Sequence, residues 1–581
     1  MLIDNQLDFD AALSKIQSIP GKIVVDCETT GLKPFLGDRL VGIAVLMHQQ
    51  PDVKYYFTFR HANCANLTKD SLSKLFAVLS SRALINHNIK FDLHFMHVDG
   101  LTLPETIYDT MLSAHLLNEN EPSFALKTLA DKYIGEGSSE EKLKLDLLLA
   151  ARKLAKHQLY MLAAAEVAPY AIKDVELAYK LYEMHKSALE AWKLWNLFEE
   201  VNRYCLAICR MEIRGLPVNK EIVNAQINQL EPKLVQLETE IKRLAGFDIN
   251  INSPKQLMQW LDIPATDRSS LEKYLDDADE TLETSEGIRK LLAYRKLKKE
   301  ASTYYIPFSE QVDENGRLHG SFKLHGTVSG RLSCEAPNLQ NLPRSGNSEI
   351  KKVVQARSGY KIIEADFSQL ELRIVAHYAN IKNFKHSFAN GIDAHQGTAD
   401  ATGLSRDNAK TINFGILYGM GPKKLIAKMA YNTKKPMSLS QGMGYIERYH
   451  KTLPEIRPFE QAVTSTASRN GYIRLFTGRV RRYDHIKAFP HTALNNLIQG
   501  SGAEATRIAI TRMDKELTAD WHPKMLATVH DSVLFEVKDE FVKEAGKIIK
   551  DIMEDHPWCT VKLKVDLKYG DSWGNLQKLE I

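Results

Sequence analysis

The chain has 581 residues, 44% of them apolar and 25% charged, a composition that excludes an unfolded chain and allows several domains with separate cores. Net charge is +4, from 76 Lys and Arg against 72 Asp and Glu, too mild to identify a nucleic-acid partner unless the cations cluster. No apolar run reaches the ~18 residues of a membrane span, Asp4 and Asp8 stand where a leader peptide carries base, and the six cysteines show no zinc spacing. An intracellular chain without a membrane partner is therefore expected, with Cys205 and Cys209 as reduced core residues one helical turn apart.

Residues 21–31, Gly-Lys-Ile-Val-Val-Asp-Cys-Glu-Thr-Thr-Gly, predict a buried strand ending in a turn. Side chains alternate along a strand, so Asp26 and Glu28 share a face and Cys27 points away. Two adjacent carboxylates repel unless a cation sits between them; taken alone, they fit a solvated strand end equally well. A second apolar run leads to Asn88 and Asp92, and Tyr170 and Asp174 fall at i and i+4 on one face of a predicted helix. Asp26, Glu28, Asp92 and Asp174 together can hold a pair of hard divalent ions through oxygen, with Tyr170 orienting a water. These five positions, with Asn88, Asp109 and Leu126-Lys127, resemble the exonuclease motifs of the DEDD group in its tyrosine form, the proofreading domain of family A DNA polymerases. The resemblance implies an RNase H-like domain that hydrolyses the terminal phosphodiester of a single-stranded 3′ end.

An amphipathic helix follows, with Leu194, Phe198, Val201, Cys205 and Ile208 in register, ending toward Met211-Glu212-Ile213-Arg214-Gly215, which is similar to the family's Met-Glu-x-x-Gly. A longer apolar stripe from Val223 to Leu244 predicts a second helix, stopped by Gly246 and kinked or broken by Pro232 near Leu230. Ser253-Pro254 reads as an N-cap with proline at the first helical position. Cations cluster in two places: Arg289, Lys290, Arg295, Lys296, Lys298 and Lys299 on one predicted helix, and Arg474, Arg479, Arg481 and Arg482 in a loop-rich segment. Each cluster is either a solvated face or a grip on duplex phosphates.

Three later stretches carry the second candidate site. Asp366 closes the apolar-rich run 361–365 and precedes Ser-Gln-Leu-Glu-Leu-Arg, with Glu371 inside it. Arg406, Lys410, Phe414 and Tyr418 recur every four residues on one helix face, cations first and aromatics last, as an incoming triphosphate, sugar and base require. His530-Asp531-Ser532 sits between two apolar strands and predicts a hairpin with the aspartate at its tip. These resemble motifs A, B and C of the family A DNA polymerases. The stretches around Arg331, Asn338 and Gln340, around His395, and around Asn495 and Gln499 are also similar to the family's pattern. Ser329, His491 and Ser532 depart from it; the family usually has Thr, Arg and Glu there.

The resemblance implies an α/β multidomain protein: an RNase H-like exonuclease domain (1–185), a helix leading into the palm (186–217), thumb (218–320), palm with motif A (321–375), fingers with motif B (376–485) and palm with motif C (486–581). It implies DNA-templated DNA synthesis from dNTPs with proofreading. Asp366 and Asp531 would hold metal, Lys410 would serve as general acid, and Glu371, His395, Arg406, Phe414 and Tyr418 would bind the nucleotide. Arg331, Asn338, Gln340, Asn495, Gln499 and His530 would face DNA. Expected cofactors are two Mg2+ per active site, with Mn2+ able to substitute. Expected partners are primer-template DNA, dNTPs and a single-stranded 3′ end, bound by a monomer in a bacterial or phage-infected cytoplasm. A 5′ nuclease domain is expected to be lacking. The alternative is a 3′–5′ exonuclease whose polymerase half, impaired by Ser532 and His491, acts as a DNA-binding clamp.

Overall fold

The computed structural model describes residues 1–62, 64–135, 137–277, 283–343, 349–433, 436–483 and 492–581. In the first domain six strands form one sheet in the order Leu2–Ile3, Gln50–Thr58, Leu40–Met47, Ile23–Thr29, Leu84–Asn86, Ile107–Asp109. The expected strand Ile23–Thr29 is interior to it, antiparallel to Leu40–Met47 and parallel to Leu84–Asn86. Ile23, Val24 and Val25 are all fully buried, so the strand is covered on both faces, which explains its unbroken apolar run. The 28-residue helix Ala164–Ala191 lies against this sheet.

Helix Trp195–Arg214 connects to the second half and stops at Gly215, whose φ of +63° and 3.0 Å clearance to the His319 ring leave no room for a side chain. The thumb follows, with helices Lys220–Ala245 and Glu283–Glu300 packed together. Its core, built on Ile241, Leu257, Ile288 and Leu291, is separate from the one that runs through the first domain, palm and fingers. Gly246 caps the first helix in the left-handed region, and Ser253 caps the helix Pro254–Leu261, as expected. The break expected at Pro232 is absent: the helix runs through it. Pro232 is exposed, so the Asn228 carbonyl that loses its partner can be served by water.

The palm is a five-stranded antiparallel sheet ordered Lys524–Val529, Ser532–Lys538, Tyr360–Phe367, Val565–Gly570, Gln577–Lys578. The motif C hairpin forms as expected, with His530-Asp531 as its loop. His530 takes a φ of +55°, the left-handed conformation such a short turn needs. The fingers are helical, with Ala394–Thr402, Arg406–Leu417, Pro422–Thr433 and Leu439–Thr452.

Two buried carboxylates tie the first domain to the rest. Glu212 accepts from Lys90 at 2.6 and 2.7 Å and lies 3.1 Å from His94. Glu119 accepts from Arg481 at 2.9 Å and Arg482 at 3.0 Å. Arg479 is paired with buried Glu504 at 2.6 Å. Three of the four clustered arginines are thus spent inside the molecule, and neither a solvated face nor a phosphate grip describes them. On the thumb, Lys290 pairs with Glu240 and Arg295 bonds the Thr266 carbonyl, while Lys296, Lys298 and Lys299 stay exposed.

Candidate active sites

In the first domain, strand Ile23–Thr29 presents Asp26 and Glu28, helix Ile89–Val98 presents Asp92, and helix Ala164–Ala191 presents Tyr170 and Asp174. Asp92 accepts from the Cys27 amide at 2.8 Å, which fixes it beside the strand. Asp26 and Glu28 are half-buried at the strand's end. Desolvation pushes Asp26 up to about 7. Burial, then the charge of Asp26, raises Glu28 and Asp92 well above the ordinary carboxylate range. Burial also raises the Tyr170 phenol and lowers Lys127 to about 8. Lys127, singled out in the sequence only by resemblance, forms an ion pair with Asp174 and lies 5.0 Å from the Tyr170 ring centroid. Asp109 and Asn88 serve the scaffold: the Asp109 carboxylate caps helix Thr110–Leu117 and accepts from the Asn88 and Ile89 amides.

In the palm, Asp366 is the penultimate residue of the central strand and Asp531 sits at the adjacent hairpin tip. The Phe367 amide donates to the Asp531 carbonyl at 3.3 Å, so backbone pairing itself brings the two aspartates together. Asp366 is solvent-accessible within a concave site; partial desolvation first, then Asp531, push its carboxyl up to about 6. Asp531 is raised by burial, opposed by Arg331. Arg331 lies 2.8 Å from Glu371 and 3.9 Å from Asp531, and the Tyr418 hydroxyl donates to the other Glu371 oxygen.

The four-residue spacing on helix Arg406–Leu417 gives the expected face. Arg406 and Lys410 are exposed, and Phe414 stacks on Tyr418 at 5.7 Å, with Tyr418 just past the helix end. Arg406 is engaged with Asp393 at 2.6 Å. His395 lies under this face: it is 3% exposed, its Nδ1 accepts from Asn413 at 3.0 Å, its ring backs Phe414, and burial lowers it to about 4. It supports this helix face from behind. A Cβ on Gly415 would meet Leu425 at 2.5 Å, so this glycine serves helix packing.

Arg331, Gln340, His530 and Asp531 line one recess, and Gln499 bonds the Tyr418 hydroxyl. Asn338 is exposed and caps a short helical turn through the Gln340 amide. Arg331 Nε, Gln369 Oε1 and Asn495 Oδ1 are buried with no hydrogen-bond partner among the described residues, polar atoms that a bound ligand could satisfy. His491 lies outside the described residues. Ser532 is buried and donates to the Val529 carbonyl at 2.9 Å, closing the hairpin. Sequence reasoning missed Asp566, which stands directly across from Asp366 on strand Val565–Gly570.

The donor chemistry of both sites fits hard divalent cations, since each gathers carboxylates whose mutual repulsion a bound cation relieves. Among the described residues no group of three or more His, Cys, Asp or Glu side chains is already arranged to hold a metal ion. Mg2+ typically takes one or two carboxylates and fills its remaining positions with water and substrate phosphate. No helix among the described residues is long and apolar enough to cross a membrane.

A family model for DNA polymerase family A matches residues 220–575, and one for a 3′-5′ exonuclease matches residues 1–190. DNA polymerase I of Treponema pallidum (strain Nichols) is 30% identical, over 96% of this chain and 61% of that protein. DNA polymerase DpoZ of Acinetobacter phage SH-Ab 15497 is 28% identical, over 96% of this chain and 97% of that protein. The chain spans less than two thirds of the length of the bacterial relatives it matches, 51% for that of Rhizobium leguminosarum. The POL domain of Pol1 from M. smegmatis, solved in complex with DNA primer-template and dNTP, superposes with a TM-score of 0.80 at 23% identity, covering 99% of each chain, a likeness of fold. With the polymerase model spanning more than half of its residues and an exonuclease domain ahead of it, this chain belongs to DNA polymerase family A.

Proposed function

We propose that the chain extends a primer 3′ end on a DNA template with dNTPs, and that its first domain removes nucleotides from a single-stranded 3′ end. The observation that carries this reading is the pairing of strand Tyr360–Phe367 with the motif C hairpin, which sets Asp366 beside Asp531. In the proposed reaction the primer 3′ oxygen attacks the α-phosphorus, its proton passes to water, and pyrophosphate leaves. Asp366 and Asp531 would hold a pair of Mg2+ ions, whose charge would make the primer hydroxyl more acidic and offset that of the triphosphate. Arg406, released from Asp393, and exposed Lys410 would grip the phosphates, with Lys410 able to hand a proton to the leaving pyrophosphate. Phe414 and Tyr418 would flank sugar and base, and Glu371, held by Arg331 and Tyr418, would stand where a ribose 2′-hydroxyl would clash.

In the first domain Asp26, Glu28, Asp92 and Asp174 would hold a second pair of ions, and Tyr170 would orient the attacking water. The polymer is cut when that water attacks phosphorus and the 3′ oxygen of the penultimate nucleotide departs. We read the acting form as a monomer in the cytoplasm of a bacterium or a phage-infected cell. The test is a 5′-labelled primer on a longer template with Mg2+. It should lengthen with dNTPs, not with ribonucleotides, and shorten when nucleotides are withheld. A primer that shortens but never lengthens would favour the exonuclease-with-clamp alternative.

A further inference from the structure

We propose that Asp566 is the third carboxylate of the polymerase site, supplying from strand Val565–Gly570 the negative charge and acceptor that Ser532 does not supply on the opposite flank. This rests on the DNA-synthesis reading above. Asp366 is paired with Ser532 on one side and with Asp566 on the other. Directly opposed residues of an antiparallel ladder project to the same face, with Cβ atoms ~4.5–5.5 Å apart. Asp566 therefore approaches the space above Asp366 as closely as a carboxylate at position 532 would. Backbone bonds pin both registers next to the site, from the Phe367 amide to the Asp531 carbonyl at 3.3 Å and from the Ser368 amide to the Lys564 carbonyl at 2.8 Å.

The two flanking side chains differ in what they are free to do. The Ser532 hydroxyl is committed to the Val529 carbonyl at 2.9 Å. Asp566 is exposed, and its carboxylate makes no ion pair or hydrogen bond among the described residues. Arg373, the guanidinium whose charge it feels, is spent on the Ser368 and Lys562 carbonyls at 2.8 Å each, and Lys568 lies 3.8 Å from Glu364. A carboxylate left unpaired beside another carboxylate destabilises both, and a divalent cation above the pair relieves that repulsion. Asp566 thus enters the ion's coordination sphere, directly or through its water shell.

The test is Mn2+ binding by calorimetry on the full chain carrying Asp26→Ala and Glu28→Ala, with a chain-terminated primer-template and the matching dNTP. Asp566→Asn should weaken Mn2+ at the polymerase site by about 10-fold, the lower end of the loss expected when a supporting ligand is removed. It should raise the half-saturating Mg2+ for extension similarly, with the rate recovering at saturating Mg2+. Asp566→Glu should keep the affinity, and Ser532→Glu in the Asp566→Asn background should restore it. Unchanged Mn2+ affinity in Asp566→Asn, or a loss that Ser532→Glu does not restore, overturns the assignment. If the unaltered chain binds Mn2+ yet extends no primer, the synthesis reading fails while the Mn2+ titration still decides Asp566.

Discussion

The two candidate metal sites gather the same chemical groups under opposite conditions. In the first domain the carboxylates are packed into one cleft, Asp92 and Asp174 almost fully buried, and the chain supplies its own cation, Lys127, to Asp174. In the palm they stand at strand ends in a more open site, and Arg331, the cation beside Asp531, is drawn to Glu371 and lies 3.9 Å from Asp531. The first site is prebuilt and electrostatically strained when metal-free. The second leaves polar atoms unsatisfied, as a site completed by its substrate would.

The sharpest way to break that contrast is to remove one aspartate from each site. Asp366→Ala should lower primer extension by at least ~1000-fold, of the order expected for losing a principal charge-stabilising group, while leaving single-strand digestion intact. Asp26→Ala should do the reverse, and a loss of both activities from either change would show the sites to be coupled. Next in size is the tie between domains. Glu119→Gln leaves Arg481 and Arg482 unpaired, and urea denaturation should show a loss of about 3 kcal/mol, the scale for breaking a buried ion pair.

A smaller effect separates the sites by pH. A raised carboxyl holds its proton where an ordinary aspartate is ionised, and metal must displace it. The half-saturating Mg2+ should therefore climb as pH falls through about 7 for digestion and only through about 6 for extension. By linkage, a carboxyl raised in the folded state costs stability increasingly from its ordinary range up to the raised value and fully above it, so the metal-free protein should melt higher as pH drops below about 7, and Mg2+ should flatten the trend. Coincident pH profiles for the two activities would remove the distinction. The smallest change expected is Ser532→Ala, about 1 kcal/mol from one hydrogen bond, with Mn2+ affinity unmoved.

Local chemistry was legible in the sequence. Asp26 and Glu28 on one strand face, the line from Arg406 to Tyr418, the Gly246 stop and the Ser253 cap all depend on periods of two or about four residues or on a single turn, and all form. Long-range pairing was not. Nothing near Arg481 announces that its partner is Glu119, and nothing near Asp366 announces Asp566, because sheet register and domain contacts join segments hundreds of residues apart. The surroundings of His395 are a further case: Asn413 and Phe414 hold its ring in the interior, which its place in the sequence does not announce.

The central place of strand Tyr360–Phe367 in the palm sheet has a consequence for how the chain folds. A one-residue slip against either neighbour would turn Asp366 into the core and expose Ala365 and Phe367, both now buried. Misregistered chains would thus bury a carboxylate and lose apolar packing at once. The penalties that keep the sheet in register are the same ones that aim the aspartate, so folding quality control and active-site assembly are a single event.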